Sequence, residues 1–190
     1  PLIKECKKRG IKLYDLKRNR ANSEIFCSIV SAKKPDFLIL NGHGTESTIF
    51  GYNDEPILSV QNARLLEKGI VYSIACEAAR KLGPALVKHN VRAYIGYLQK
   101  FIFIIDQNRA SRPLSDELAK PFFISTNRVP ESIIKGNTVK KALENAKNEF
   151  KRQIIKLRRK SSTYEEELVL KYLLWDQTFI KAIENTLAKG

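Results

Sequence analysis

One histidine and one cysteine stand where this chain could do nucleophilic chemistry. His43 sits between Gly42 and Gly44, just after the apolar run Phe37-Leu38-Ile39-Leu40, and Cys76 directly follows Ile70-Val71-Tyr72-Ser73-Ile74-Ala75. A free cysteine thiol is only partly ionised at neutral pH, and a nearby imidazole can take its proton or stabilise the thiolate. If the two runs are parallel neighbours in one sheet, joined by a single crossover, both residues arrive at the same sheet edge. Glycines flanking the histidine let the backbone turn sharply and approach a ligand closely, and the carboxyl ends of strands are where open α/β sheets hold their sites. A helix starting just after Cys76 would turn its positive end and unpaired N–H groups toward the thiolate. The backbone N–H groups of Gly44 and Cys76 are then the candidates for an oxyanion hole.

The elements that must position this pair can be read from spacing. Residues 1–9 read as the end of a basic helix stopped by Gly10, and Ile11-Lys12-Leu13-Tyr14-Asp15-Leu16 alternates as a half-buried strand does. A helix is expected from about Asn22 through Val30, ending near Lys33-Lys34-Pro35, with Cys27 as a core thiol in its apolar stripe. The runs 37–40 and 70–75 have the composition of strands buried on both faces. Between them lie a polar loop over 45–54 and a short helix over 59–68, capped by Ser59 and stopped by Gly69. Helical composition resumes at Glu77, and Gly83-Pro84 starts a separate helical segment. Val91 to Tyr97 is a further strand, restarting as Phe101 to Ile105.

Beyond Asp106 the spacing predicts a helix from Ser115 to about Phe123, then a polar connection through Asn127-Arg128-Val129-Pro130. A long helix follows, whose stripe of Val139, Leu143, Ala146, Phe150 and Ile154 should cover one face of the sheet. It breaks at Ser161-Ser162-Thr163. The tail over 164–187 is open between a helix and a strand from Leu168 to Leu174 followed by a helix. This alternation gives an α/β fold with a mostly parallel sheet, read as a single domain over 1–190 with its core at 11–105. With Pro1 first and no methionine in 190 residues, the chain is expected to be a piece of a longer protein.

Composition narrows the partners. The net charge is +14, with Lys and Arg dense in residues 1–20 and 151–160. Nucleic acid is a candidate partner on charge alone, but no binding motif or interleaved aromatics accompany it, and a solvated charged face is the ordinary reading. Neither a membrane-length apolar stretch nor a signal-peptide core occurs. Cys6, Cys27 and Cys76 lack metal-ligand spacing and the chain has two histidines, so no metal or other cofactor is expected. Free thiols suit a reducing, cytoplasmic compartment. His89, the other histidine, falls late in a helical segment and lacks the strand-end context of His43.

Phe37 to Gly44 and Val71 to Cys76 resemble the two signature blocks of the caspase-hemoglobinase superfamily, above all its gingipain-like, clostripain-like and CHAT-type prokaryotic members. Arg92 to Tyr97 resembles that family's next strand. Leu173 to Thr178 is similar to a late Gly-Asp-Pro block, with Trp175 and Gln177 replacing the Gly and Pro. The resemblance covers about residues 11–105. It implies a caspase-like three-layer α-β-α sandwich, lacking its first strand here, and a cysteine endopeptidase with a His43–Cys76 dyad and a thioacyl-enzyme intermediate. It further implies a protein or peptide substrate, an activating partner domain or subunit, and a carboxylate that selects the residue before the scissile bond. Asp106 and Glu77 are the candidates for that substrate-binding role, and either would favour Arg or Lys. Two alternatives stay open: a catalytically inactive scaffold or sensor of the same fold, and a basic nucleic-acid-binding module.

Overall fold

A computed structural model describes residues 2–109, 115–159 and 163–185 of the chain. The fold is α/β with a mostly parallel four-stranded sheet. The chain divides into two compact units, Arg9–Phe101 with Ile180–Gly190, and Pro1–Lys8 with Ile102–Phe179.

The first unit is the α/β one. Helix α2 (Ser23–Lys33) starts at Asn22, whose side chain accepts the Ile25 N–H, and ends at Lys34 in the left-handed conformation just before Pro35. Strands β1 (Phe37–Asn41), β4 (Ile70–Ile74) and β5 (Ala93–Tyr97) run parallel, in the order β1-β4-β5. All of β5 and nearly all of β4 is buried, as their uninterrupted apolar composition demands. The core joins Phe26 and Val30 of α2, Leu38 and Leu40 of β1, and Leu82 and Leu86 of α3 (Leu82–Lys88). Within it, Ser73 and Tyr94 share a hydrogen bond of 2.5 Å, which satisfies two hydroxyls that burial would otherwise penalise.

Four expectations are corrected here. Ile11 to Leu16 forms no strand. An alternating pattern becomes a strand only where a neighbour completes its ladder, and here Ile11, Leu13 and Tyr14 are exposed. Among the described residues β1 is therefore the edge of the sheet. The polar loop over 45–54 contains strand β2 (Thr48–Phe50), which pairs antiparallel with β3 (Pro56–Ser59). The helix expected over 59–68 shrinks to a single turn at Ala63–Leu65, because Asn62 accepts the Ser59 N–H and donates to the Ile57 carbonyl, making a side-chain-closed turn. The restart at Phe101 to Ile105 is likewise not a strand.

The opposite edge is closed by β6 (Ile180–Glu184), antiparallel to β5 with Tyr97 opposite Ile180 and Ala93 opposite Glu184. It lies within the tail read as helical. The part of that tail beyond residue 185 falls outside the described residues.

The second unit is helical: α1 (Leu2–Lys8), α4 (Lys120–Thr126), α5 (Arg128–Ile134), α6 (Val139–Arg158) and α7 (Tyr164–Phe179). Gly10, at φ +66, lies just past the end of α1. The helix expected from Ser115 starts only at Lys120, because the Asp116 carboxylate accepts the N–H groups of Leu118 and Ala119 ahead of it. The connection expected over Asn127 to Pro130 narrows to Asn127: α5 already starts at Arg128, and Pro130 falls in its first turn, where its missing N–H costs nothing. In α6, Thr138 caps the start and Val139, Ala142, Ala146, Phe150 and Ile154 are buried. It packs on α4, α5 and α7 of the same unit. Its buried Glu149 holds Gln153, Arg152 and Arg128; burial opposes its charge, but these partners keep its carboxyl below the usual range.

The alternative strand over Leu168 to Leu174 is excluded, since these residues lie in α7. Thr163 and Glu166 exchange hydrogen bonds at its start, a capping box. Ser161 and Ser162, part of the expected break, lie outside the described residues.

Candidate active site

The parallel ladder sets the site. Asn41 of β1 is opposite Ile74 of β4, and the Gly42 N–H still donates to the Ile74 carbonyl at 3.3 Å. His43 and Cys76 each stand two residues beyond that last matched pair, in equivalent positions at the carboxyl edge. His43 is exposed and Cys76 half-buried. Among the described residues no hydrogen bond joins them; catalytic pairs in ligand-free sites are often loose and tighten around substrate.

Glycine at position 44 is a steric requirement. A Cβ there would come within 2.8 Å of the Ala75 Cβ and 3.1 Å of the Cys76 nitrogen. The His43 strand end thus lies directly against the Cys76 strand end, backbone to backbone. Gly44→Ala is expected to lower stability by about 1–3 kcal/mol through this overlap, read as a drop in urea midpoint; an unchanged midpoint would mean the two ends are not in contact.

The hairpin that sequence reading took for a loop holds the histidine segment. The His43 carbonyl accepts the Phe50 N–H at 3.0 Å, and the Thr45 N–H donates to the Thr48 carbonyl at 2.8 Å. Gly44 pairs opposite Ile49 between these two bonds, which leaves its own N–H unused. Among the described residues neither this N–H nor that of Cys76 has a hydrogen-bond acceptor in the protein. The two candidate oxyanion donors are therefore adjacent and unspent.

The expectation of a helix directly after Cys76 is overturned. Glu77 adopts φ +57, so the chain turns away from helical geometry at once, and α3 begins only at Leu82. The intervening turn is tied to the sheet through Glu77 N–H to Gln99 carbonyl at 3.2 Å and Ala79 N–H to Tyr97 carbonyl at 3.1 Å. No helix dipole acts on the thiol from this segment.

A residue missed in the sequence joins the two strand ends. The Glu46 backbone carbonyl accepts the N–H groups of Lys81 and Leu82, at 3.1 and 2.8 Å. Its carboxylate pairs with Lys81 at 2.6 Å and with Arg80. The Lys81 hydrogen bond, with help from both cations, holds the Glu46 carboxyl below the usual carboxylate range. The only sequence signal was three charged residues, Glu46 after the first motif and the adjacent Arg80 and Lys81 after the second, whose meeting depends on the fold.

That tie is complete at neutral pH and is lost as pH falls through the lowered pKa of Glu46. If the site is catalytic, Glu46→Gln is expected to cut its turnover about tenfold through loosened alignment, with little change in melting temperature. Equal turnover in the two proteins would show that the clamp positions nothing.

The two expected substrate-binding acids belong to different units. Glu77 adjoins Cys76, with its carboxylate 3.5 Å from Arg80. Asp106 belongs to the helical unit, whereas His43 and Cys76 belong to the α/β unit. Its carboxylate accepts the Asn108 N–H at 2.9 Å and lies 3.4 Å from Arg109, while its own N–H donates to Asp116. These are the bonds of a self-closed turn. His89 terminates α3, its N–H bonded to Ala85 and Leu86, and Cys6 and Cys27 lie within helices α1 and α2. Among the described residues no group of His, Cys, Asp and Glu is arranged to hold a metal ion, and no helix is long and apolar enough to cross a membrane.

No family model, curated protein or solved structure matches this chain.

Proposed function

We propose that the chain is a caspase-like cysteine endopeptidase that cleaves peptide bonds through a His43–Cys76 dyad. The observation that carries this reading is the register of β1 and β4, which brings the histidine and the cysteine to equivalent places at one carboxyl edge. The Cys76 thiol gives its proton to His43, and the resulting thiolate adds to the scissile carbonyl carbon. Negative charge collects on the carbonyl oxygen, within reach of the Gly44 and Cys76 N–H groups. The tetrahedral adduct collapses by breaking the C–N bond, and His43 returns the proton to the departing amine. Water, deprotonated by His43, then cleaves the thioester, releasing the carboxylic acid and the thiol.

A caspase-like scaffold without catalysis is the second reading, and it draws on the absence of a His43–Cys76 hydrogen bond among the described residues. The experiment that separates them offers pooled peptides carrying Arg, Lys, Asp or Asn before the scissile bond to wild type, Cys76→Ala and His43→Ala. Cleavage by wild type alone supports the peptidase, and preference for Arg or Lys supports an acidic selecting residue, for which Glu77 and Asp106 are the candidates. Identical behaviour of all three proteins overturns the peptidase.

A further inference from the structure

The C-terminal half of α6 carries charge that the helical unit does not use. Lys151 and Arg158 are seven residues apart, as are Arg152 and Arg159, so each pair recurs after about two turns and forms a row along the helix. Ile155, 43% exposed, lies between the rows. All four cations are exposed, while Phe150, Gln153 and Ile154 fill the buried side, so the charges cannot turn inward. Among the described residues only Arg152 has an acidic partner, the buried Glu149. The exposed acid earlier on α6, Glu144, is already paired with Lys141. The negative end of the helix favours Arg158 and Arg159 in the last turn, but it does not account for Lys151 or for the row it starts.

We infer that this face of α6 binds the phosphate backbone of double-stranded nucleic acid without reading its bases. One row spans about 10 Å of helix axis, which corresponds to about three phosphates of one strand at ~3.4 Å each. Arginine offers phosphate a bidentate fork and lysine a point charge. A protein partner would need an apolar centre with a polar rim, and Ile155 alone does not supply one. The face has no aromatic on which an unpaired base could stack, which selects a duplex over a single strand. This inference is independent of the proposed hydrolysis.

The test is fluorescence anisotropy of a labelled random duplex of about 20 base pairs, titrated with the full chain from 50 to 200 mM salt. Binding is expected, with log affinity falling against log salt at a slope of about −3 to −4. The triple variant Lys151→Gln, Arg158→Gln, Arg159→Gln should weaken binding at least tenfold at 50 mM salt and flatten the slope by about 2.7. Glutamine is a good helix former, and a thermal melt checks that the variant folds. A control with the same charge change on the α/β unit, Lys33→Gln, Arg64→Gln, Lys88→Gln, should change affinity less than twofold. The inference is overturned by no binding at 50 mM salt or by equal losses in the two triples. Tighter binding of a single strand, or displacement of the duplex by an equal charge of polyglutamate, also overturns it.

Discussion

Cys76→Ala is expected to lower peptide hydrolysis by on the order of 10³-fold or more, to the uncatalysed background, because no other described cysteine stands at a strand end beside a histidine. His43→Ala should fall by a similar factor, for the thiol then has no proton acceptor and the departing amine no proton donor. The double variant should be no slower than either single one, since the two residues act as a unit. Melting temperatures should stay close to wild type, because His43 is exposed and Cys76 half-buried. An additive loss in the double variant would separate the two residues functionally and remove the dyad.

The second large effect concerns Asp176, in the last turn of α7. Its side chain is fully buried; one carboxylate oxygen accepts the Ile102 N–H at 3.3 Å, and the other has no partner among the described residues. Burial, only partly offset by that hydrogen bond, pushes its pKa up to about 8. The folded protein therefore keeps a proton that the unfolded chain releases near pH 4. Stability is greatest below the unfolded pKa, falls as pH rises from about 4 to about 8, and levels off above. Asp176→Asn removes this dependence and should stabilise the protein at pH 8–9 by on the order of 2–5 kcal/mol relative to wild type. Trp175, the single tryptophan, adjoins Asp176 and gives a fluorescence signal for urea unfolding of this helical unit. Parallel pH–stability curves for the two proteins would refute a buried protonated carboxyl.

The sheet's parallel strands were legible because β1, β4 and β5 are short apolar runs ended by glycine or by a residue that must turn, and their order follows from chain sequence and crossover length. The equivalence of His43 and Cys76 followed from the same runs. What escaped reading depended on partners distant in sequence. Ile180 to Glu184 becomes a strand because β5 offers it an edge, whereas Ile11 to Leu16, with a better alternation, finds no neighbour and forms no strand. Thr48 to Phe50 looked polar enough for a loop, yet its pairing with Pro56 to Ser59 is what fixes the histidine segment.

Other misreadings had a local remedy. Thr163-Tyr164-Glu165-Glu166 is a capping box in plain sequence, and it decides for a helix where the apolar run Leu168-Val169-Leu170 was equivocal. The turn at Glu77 had no such signal, because a glutamate in the left-handed region is set by the bonds around it. Glu46 is the clearest loss. Its carboxylate and carbonyl bind residues more than thirty positions later, and only the fold brings them together.

The most direct measurement of the central claim is the rate at which iodoacetamide alkylates Cys76 at pH 6–7, followed on its own peptide by mass spectrometry to exclude Cys6 and Cys27. If His43 takes the Cys76 proton, wild type reacts at least about tenfold faster than His43→Ala, and His89→Ala matches wild type. Equal alkylation rates in wild type and His43→Ala would contradict the dyad.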